Sequence, residues 1–327
     1  MRDNRVTVVI NTLNRRDHLR RTLVALLQQT QSAFEVVVVN GPSTDGTAEL
    51  LDQFALRVRQ FTCDEANLGR SRNIGVRQAA GDLVAFIDDD AIPPPDWLEL
   101  LVPCFDDEHV GAVGGPVFDV PLGRIDWNIC TSTRLGAVNT NSPAPISMYT
   151  RAGSDPFPYL AGCNMAFRRS ALQEVGGFNS MLSYGYDDVD VCCRINDAGH
   201  RIEYVEGAVV HHDRAASAIR DEQFVITDPY VLLRSRVVFA MQSASSTHSR
   251  TAIALCTRDW AREWGSYSFM HVESGNFSLA EHEWFVARAA AGVAEGIEWG
   301  REHRPFTFIG PPPVGEFRPY RDAMIAR

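Results

Sequence analysis

Three consecutive carboxylates close an apolar run at Phe86-Ile87-Asp88-Asp89-Asp90, the densest group of reactive side chains in the chain. Side chains alternate along extended backbone, so Asp88 and Asp90 point one way and Asp89 the other. Two carboxylates facing one crevice repel and raise each other's pKa. A divalent cation removes that conflict, and hard oxygen donors suit Mg2+ or Mn2+. The same run also suits a solvated acidic loop in which an aspartate caps the following helix. A second acidic group, Asp187-Asp188-Val189-Asp190, follows Gly176-Gly177-Phe178 and opens a helix, where carboxylates also serve the helix dipole. His211-His212 closes the apolar stretch Ala208-Val209-Val210. A histidine at a strand end is either structural or a ligand for a transition metal such as Mn2+.

These groups can act together only if the fold gathers them. Val6–Ile10 reads as a buried strand and Asp17–Gln29 as a helix, with Leu19, Leu23, Leu26 and Leu27 at helical spacing. Strands over Glu35–Val39, Arg57–Phe61 and Leu83–Ile87 alternate with helices near Ala48–Leu56 and Arg70–Ala80. This rhythm predicts right-handed βαβ units and a mainly parallel sheet covered on both faces. Ligands of such sheets sit at the carboxyl ends of the strands. Thr12-Leu13-Asn14, Asn40-Gly41-Pro42-Ser43 and Asp88-Asp89-Asp90 therefore face one crevice.

Beyond residue 110 the rhythm changes. Val110–Phe118 reads as one strand, and 119–158 as a long Pro-, Ser-, Thr- and Gly-rich loop of the kind that is usually functional. Tyr159–Phe167 and Ser170–Val175 resume strand and helix, and Asp187–Ala198 is helical. Ile202–Val205 and Ala208–His211 read as the last strands of the sheet. Helices follow over Tyr230–Gln242, Ala252–Trp264 and Leu279–Trp299, then an extended proline-rich tail over Pro305–Pro319. Trp260, Trp264, Trp284 and Trp299 recur on these helices, where aromatics are more often core than sugar platforms.

Composition narrows the class. A chain of 327 residues with 45% hydrophobic content buries a sizeable core. The net charge of -10 argues against a general nucleic-acid binder, whose phosphate contacts need clustered Lys and Arg. A nucleotide held through a metal stays open. Seven cysteines, an odd number without regular spacing, read as free thiols in a reducing compartment, and the adjacent pair Cys192-Cys193 rarely suits disulfide geometry. The N-terminus enters a strand pattern at once, without the apolar core of a signal peptide, and no apolar run reaches the roughly 18 residues of a membrane span. The expectation is a cytoplasmic protein, with peripheral attachment at the inner face of a membrane as the alternative. No GxxxxGK(S/T) loop, no GxGxxG after the first strand, no HExxH and no paired CxxC occurs.

In this order the clusters resemble the inverting family 2 glycosyltransferases of the GT-A fold. Val8-Val9-Ile10-Asn11-Thr12-Leu13-Asn14-Arg15 is similar to that family's first strand and turn, and Glu35–Thr47 to its second. Asn67–Gly75 resembles the segment before the metal loop, and Gly81–Asp90 the DxD segment itself. Gly162-Cys163-Asn164-Met165-Ala166-Phe167-Arg168 and Val175-Gly176-Gly177-Phe178 look like the acceptor-side strand and turn. Asp187-Asp188-Val189-Asp190 stands where the family usually has Glu-Asp-x-Asp. The resemblance spans residues 5 to 240, about 70% of the chain.

The resemblance implies an α/β GT-A domain over 1–225 and a helical C-terminal region over 226–327. It implies Asp90 as ligand of Mn2+ or Mg2+, with His212 as second ligand. Thr12 and Asn40 would meet the nucleobase, and Arg72 and Asp88 the ribose–phosphate end. Asn14, Asn67 and Asp89 would join this donor site. Asp188 would be the general base, Asp187 ranking second, while Asn164 and Asp190 would hold sugar or acceptor hydroxyls. The implied partners are a nucleotide-sugar donor, UDP-linked by family habit, and an unnamed glycan, lipid-linked or small-molecule acceptor. Asn40 departs from the usual Asp, though its amide oxygen could still accept a hydrogen bond from uracil N3–H. Tyr230–Phe239 resembles the arginine-bearing helix that follows the fold, expected to pack on the core rather than lie on a membrane. Helical appendages also build dimers, so a homodimer stays open. Two other readings compete. A sugar-phosphate nucleotidyltransferase would want a basic glycine-rich loop after the first strand, which Asn11-Thr12-Leu13-Asn14 lacks. A non-catalytic nucleotide-sugar scaffold would be expected to have lost Asp90 or Asp188.

Overall fold

The computed structural model describes residues 5–313 and 316–320. Residues 1–4, 314–315 and 321–327, which include parts of the expected N-terminal entry and C-terminal region, lie outside the described residues. In chain order the elements are β1 (Val6–Thr12), α1 (Arg16–Leu26), β2 (Phe34–Asn40), α2 (Thr47–Gln53), β3 (Val58–Thr62), α3 (Leu68–Gln78) and β4 (Leu83–Phe86). Next come β5 (Ala91–Ile92), α4 (Trp97–Leu101), β6 (Val110–Gly114), β7 (Val117–Asp119), β8 (Arg124–Trp127), β9 (Cys130–Ser132), β10 (Val138–Asn139), β11 (Phe157–Tyr159) and β12 (Met165–Arg168). The chain continues through α5 (Arg169–Glu174), α6 (Asp187–Asp197), β13 (Arg201–Tyr204) and β14 (Val210–His212) to α7 (Tyr230–Ser243), α8 (Arg250–Glu273) and α9 (Leu279–Trp299).

All seven residues of β2 are buried, as a strand covered on both faces requires. Alternation then divides the core. Val8, Ile10, Val36 and Val38 pack on the α1 side, while Val9, Val37 and Val39 face α3. Helix α3 lies close on β1 because Gly75 has no side chain: a Cβ there would stand 2.4 Å from Val9 Cγ1. The seven-stranded sheet has the order β13-β6-β12-β4-β1-β2-β3, with β12 antiparallel to both neighbours and the other pairings parallel. This is the mixed, mainly parallel sheet that the strand–helix rhythm predicts.

Three expectations are corrected. The strand read over Val110–Phe118 is two strands, because Gly115-Pro116 breaks the ladder. Strand β6 stays in the large sheet while β7 joins a second sheet of order β5-β14-β7-β8. The stretch near Ala208–His211 is likewise no part of the large sheet: β14 pairs with β5 and β7. The segment 119–158 is not a structureless loop. It holds β8, β9, β10 and the start of β11, and β10-β9-β11 form a third small sheet.

The C-terminal helices pack on the α/β layer through α7. Leu233 and Val237 face α8 and α9, whereas Phe239 enters the main core beside Phe157 and Tyr186. Trp260 is buried, but Trp284 is half exposed and not core. The tail is more than an extended appendage. Ile309 and Tyr320 are fully buried, in the cores of opposite faces of the sheet. Tyr320 stacks 5.6 Å from Phe34 and its hydroxyl donates to the Leu23 carbonyl at 2.7 Å. Nearby, fully buried Glu35 accepts hydrogen bonds from Thr7, Arg59 and the Ala80 N–H, and Arg59 also pairs with Glu316 of the tail. Tyr320→Ala should therefore lower the unfolding free energy by roughly 3–5 kcal/mol. Tyr320→Phe, which loses only the hydrogen bond, should lower it by about 1 kcal/mol. Urea denaturation measures both, and equal stability of the alanine variant would mean the tail is not holding the sheet.

Candidate active site

Strands β1, β2 and β4 run parallel and end at one edge, with Thr12 opposite Asn40 in register. Past β4, Ile87 leads directly into Asp88-Asp89-Asp90. The short pairing of β5 with β14 places His212 opposite Ala91, next to Asp90. Nε2 of His212 lies 2.9 Å from one Asp90 oxygen and 3.9 Å from an Asp88 oxygen. The other Asp90 oxygen accepts from Arg15 at 2.7 Å and from the Ala215 N–H at 3.1 Å. Cys163 Sγ stands 4.0 Å from Nδ1 of the same imidazole, and Trp127 packs over the ring at 6.1 Å. Burial opposes ionisation of Asp90, but His212 and Arg15 outweigh it and hold its pKa well below the usual carboxylate range. Burial and the adjacent Asp90 push the Asp89 carboxyl up to about 8, against the pull of Arg15. One ligand atom each from Asp88, Cys163 and His212 lies within 4.8 Å of the others, so these residues, with Asp90 beside them, could hold a cation.

Across the crevice, Tyr186 adopts a left-handed backbone conformation (φ 62°) immediately before α6. Such geometry costs about 1–3 kcal/mol and persists where surrounding contacts enforce it. Here the Tyr186 hydroxyl donates to the Gly136 carbonyl at 2.7 Å and its ring packs on Phe239. Helix α6 then begins with Asp187 buried and Asp188 half-buried at the crevice. Asp187 pairs with Arg72, whose guanidinium is sandwiched over Phe86 and Phe178, 5.7 and 5.4 Å from the ring centres. Burial works against the charge on Arg72, and Asp187, Asp88 and Asp188 more than offset it. Gly162 lets the two sides meet: a Cβ there would stand 2.6 Å from the guanidinium and 3.4 Å from Asp188. Its carbonyl accepts from Arg72 at 3.3 Å and its N–H donates to Asp188 at 3.0 Å. Burial pushes the Asp188 carboxyl up to about 7, Asp187 adding to the shift and Arg72 opposing it.

The structure brings Asp88, Asp90, His212, Arg72, Asp187 and Asp188 together as the sequence implies. Several implied ligand contacts are corrected. Arg72 is only 3% exposed and acts as a strut between Asp187 and the Asp88–Asp90 segment rather than as an open surface for ribose–phosphate. Asp187 is its counter-ion, which leaves Asp188 as the accessible carboxylate. Asn67 caps α3, its oxygen accepting from the Arg70 N–H and its amide donating to the Ser180 carbonyl. Asn164 is fully buried and fully bonded, to the Pro116 and Ala208 carbonyls and to the Trp97 indole. Asp190 is fully buried on the far side of α6, paired with Arg194 and Arg304. Asn14 ties the first two turns together by accepting from the Thr44 N–H. The Asn40 oxygen, expected to be open to a base, accepts from the Ser43 hydroxyl at 2.7 Å, while Ser43 accepts from the Asn14 N–H.

Arg15, Cys163 and Trp127 belong to the site and were not singled out from the sequence. Arg15 and Cys163 lie inside motifs but reach their partners across 75 and 49 residues, and Trp127 comes from the segment read as loop. If the Arg72–Asp187 pair is the strut of the site, Arg72→Met leaves a buried carboxylate uncompensated and destabilises the fold by roughly 3–5 kcal/mol. The double variant with Asp187→Asn should recover much of that loss. Strictly additive losses in a double-mutant cycle would mean the two groups do not stabilise each other.

A family model described as glycosyl transferase family 2 matches residues 7–176, just over half the chain, and one described as the N-terminal domain of galactosyltransferase matches residues 147–215. Glycosyltransferase AglE of Haloferax volcanii is 28% identical over 228 residues, covering 67% of this chain and 70% of that one. Among solved structures, the mannosyltransferase PcManGT of Pyrobaculum calidifontis, in complex with GDP-Man and Mn2+, aligns with a TM-score of 0.55 at 19% identity over 91% of this chain and 88% of that one. GalNAc-T7 with UDP, GalNAc and Mn2+ aligns at 0.59 and 19% identity over 73% of this chain and 48% of that one. The sheet order with its single antiparallel strand, the carboxylates at its edge and the match across β1 to α5 agree: the chain has the GT-A fold and belongs to glycosyl transferase family 2.

Proposed function

We propose that the chain transfers a sugar with inversion from a nucleotide diphosphate donor, UDP-linked as the first expectation, to an acceptor hydroxyl, with Asp188 as general base. The observation that carries this reading is the pairing of roles across Gly162. On one side lie Asp90 and His212, the donor set that suits a cation, and on the other a single accessible carboxylate with a pKa of about 7. The solved relatives hold Mn2+ together with GDP-Man or UDP, which supports the same use of this edge.

Asp90 and His212 would hold Mn2+ or Mg2+, with Asp88 and Cys163 beside them, and their oxygen and nitrogen donors fit such an ion. When bound, the cation stabilises the negative charge that develops on the departing diphosphate. Everything else falls to the chain itself. The neutral ends of β1 and β2, at Thr12 and Asn40, lie along the sheet edge from the carboxylates and receive the nucleoside. With the Asn40 oxygen accepting from Ser43, its amide N–H groups are what it can offer a base, and titration with different nucleotides reads the preference. Arg72 fixes Asp187 and with it the first turn of α6, which sets the direction of Asp188. Asp188 takes the proton from the acceptor hydroxyl as that oxygen attacks the anomeric carbon opposite the leaving diphosphate. Displacement on that line inverts the configuration.

Calorimetric titration with UDP, GDP and dTDP, each with Mn2+ and with EDTA, tests the donor site. One nucleotide should bind tightly and only with the cation, and Asp90→Ala should weaken it. If none binds, the donor assignment falls. Asp188→Asn should reduce transfer by roughly 10²–10⁴-fold while nucleotide binding persists. In the native chain kcat/KM should rise with pH through about 7 as Asp188 ionises, because only the carboxylate accepts a proton. A flat profile, or full turnover in the asparagine variant, would remove Asp188 from the mechanism.

A further inference from the structure

Helix α8 has one face that the fold uses and one that it leaves open. Thr257, Trp260 and Ser268 are buried, and Trp264 and Tyr267 pack against Phe285 of α9. On the open side, Arg262, Ser266, Phe269 and Glu273 recur at spacings of four, three and four residues, which places them in one stripe. With Gly265, Met270 and, from α9, His282 and Val286, the stripe lines a groove of about 470 Å³. Phe269 is 47% and Met270 54% exposed, and apolar side chains grouped in this way mark contact surfaces.

The stripe has an order: a cation, Arg262; two small residues, Gly265 and Ser266; two large ones, Phe269 and Met270; and an anion, Glu273. Among the described residues neither Arg262 nor Glu273 has an ion-pair partner. They are eleven positions apart, about 16 Å along the helix, too far to pair with each other. Run antiparallel to itself, the same stripe presents its complement at every step. Arg262 then faces Glu273, Ser266 faces Phe269, and Gly265 faces Met270. A surface that is its own complement under a two-fold axis is the requirement for an isologous dimer. The charges around it disfavour an anionic membrane, which would want a basic face, since Glu263, Glu273 and Glu283 are all exposed here.

We propose that this chain forms a two-fold symmetric dimer through the exposed face of α8, with the axis passing between Ser266 and Phe269. Large side chains fill the gaps above small ones, and two Arg262–Glu273 pairs close the ends of the contact. The inference does not depend on the catalytic reading.

Sedimentation velocity of the full chain across the micromolar range tests it, with melting temperatures confirming that the surface variants fold. The native chain should show a concentration-dependent dimer and Phe269→Asp should sediment as a monomer. R262E and E273R should each weaken association by roughly tenfold or more, because each sets like charges opposite one another. Combined in one chain, R262E and E273R should restore association to within about threefold of native. A native chain that is monomeric throughout, or a combined variant no better than the single ones, overturns the proposal. So does a monomeric chain that pellets with phosphatidylcholine vesicles and loses that binding in Phe269→Asp.

Discussion

The constraint on which this structure depends is electrostatic. Five aspartates, at 88 to 90 and at 187 and 188, meet at one edge of the sheet, and water reaches most of them poorly. Left alone they would repel each other and resist ionisation. Three cationic side chains answer them: Arg72 against Asp187, and Arg15 with His212 against Asp90. The placement of these cations dictates much else. Arg72 needs two aromatic faces and the bare backbone of Gly162 to lie where it does. His212 needs the separate sheet of β5, β14, β7 and β8 to bring it beside Asp90. The break at Gly115-Pro116 frees β7 from the large sheet to build that second one.

Because the compensation is uneven, the carboxylates differ. Asp90 stays ionised between two cations, whereas Asp188 has only backbone N–H groups and a shared, more distant Arg72. One edge thus contains a carboxylate suited to hold positive charge and another poised to take up a proton near neutral pH. A uniform acidic patch could not divide these tasks. The left-handed turn at Tyr186 serves the same division, since it starts α6 with one aspartate turned inward and the next outward.

The sheet, its parallel strands and the gathering of the acidic clusters were legible because they rest on local patterns. Buried runs such as Val36–Val39 and apolar spacings such as Leu19, Leu23 and Leu26 carry their own signal. The roles of individual motif residues were less legible. Asn67, Asn164 and Asp190 stand within the motifs, yet each is consumed by backbone or by an arginine that arrives from a distant segment. Sequence shows that such residues matter without showing whether they touch a substrate or hold the residues that do. Arg15 and Trp127 were missed for the converse reason: their importance arises only from long-range contacts. The segment 119–158 carries no such signal because its strands have two to four residues, too short for periodicity to register.

The site is also tied to the end of the chain, which follows from where the sheet leaves its charges. Glu35, buried beneath the sheet's opposite edge, is compensated by Arg59, which also pairs with Glu316 of the tail, and Asp190, buried behind α6, is compensated in part by Arg304. Between them, Ile309 and Tyr320 seal both cores. The last part of the chain therefore closes the domain that the first part begins. Helix α7 makes a similar link, since Phe239 packs on the ring of Tyr186 just before the two aspartates of α6. Through that contact, and through Arg234 on Ser183, the helical region bears on the segment that leads to the proposed base. The ends of β1, β2 and β4 come from the first ninety residues, with His212 and Ala215 reaching Asp90 from later in the chain, whereas the half that carries Asp188 is shaped by segments from residue 119 to the tail. Differences in acceptor among chains of this architecture are therefore expected to arise in those later segments, where the packing around α6 can change without disturbing the carboxylates at the sheet edge.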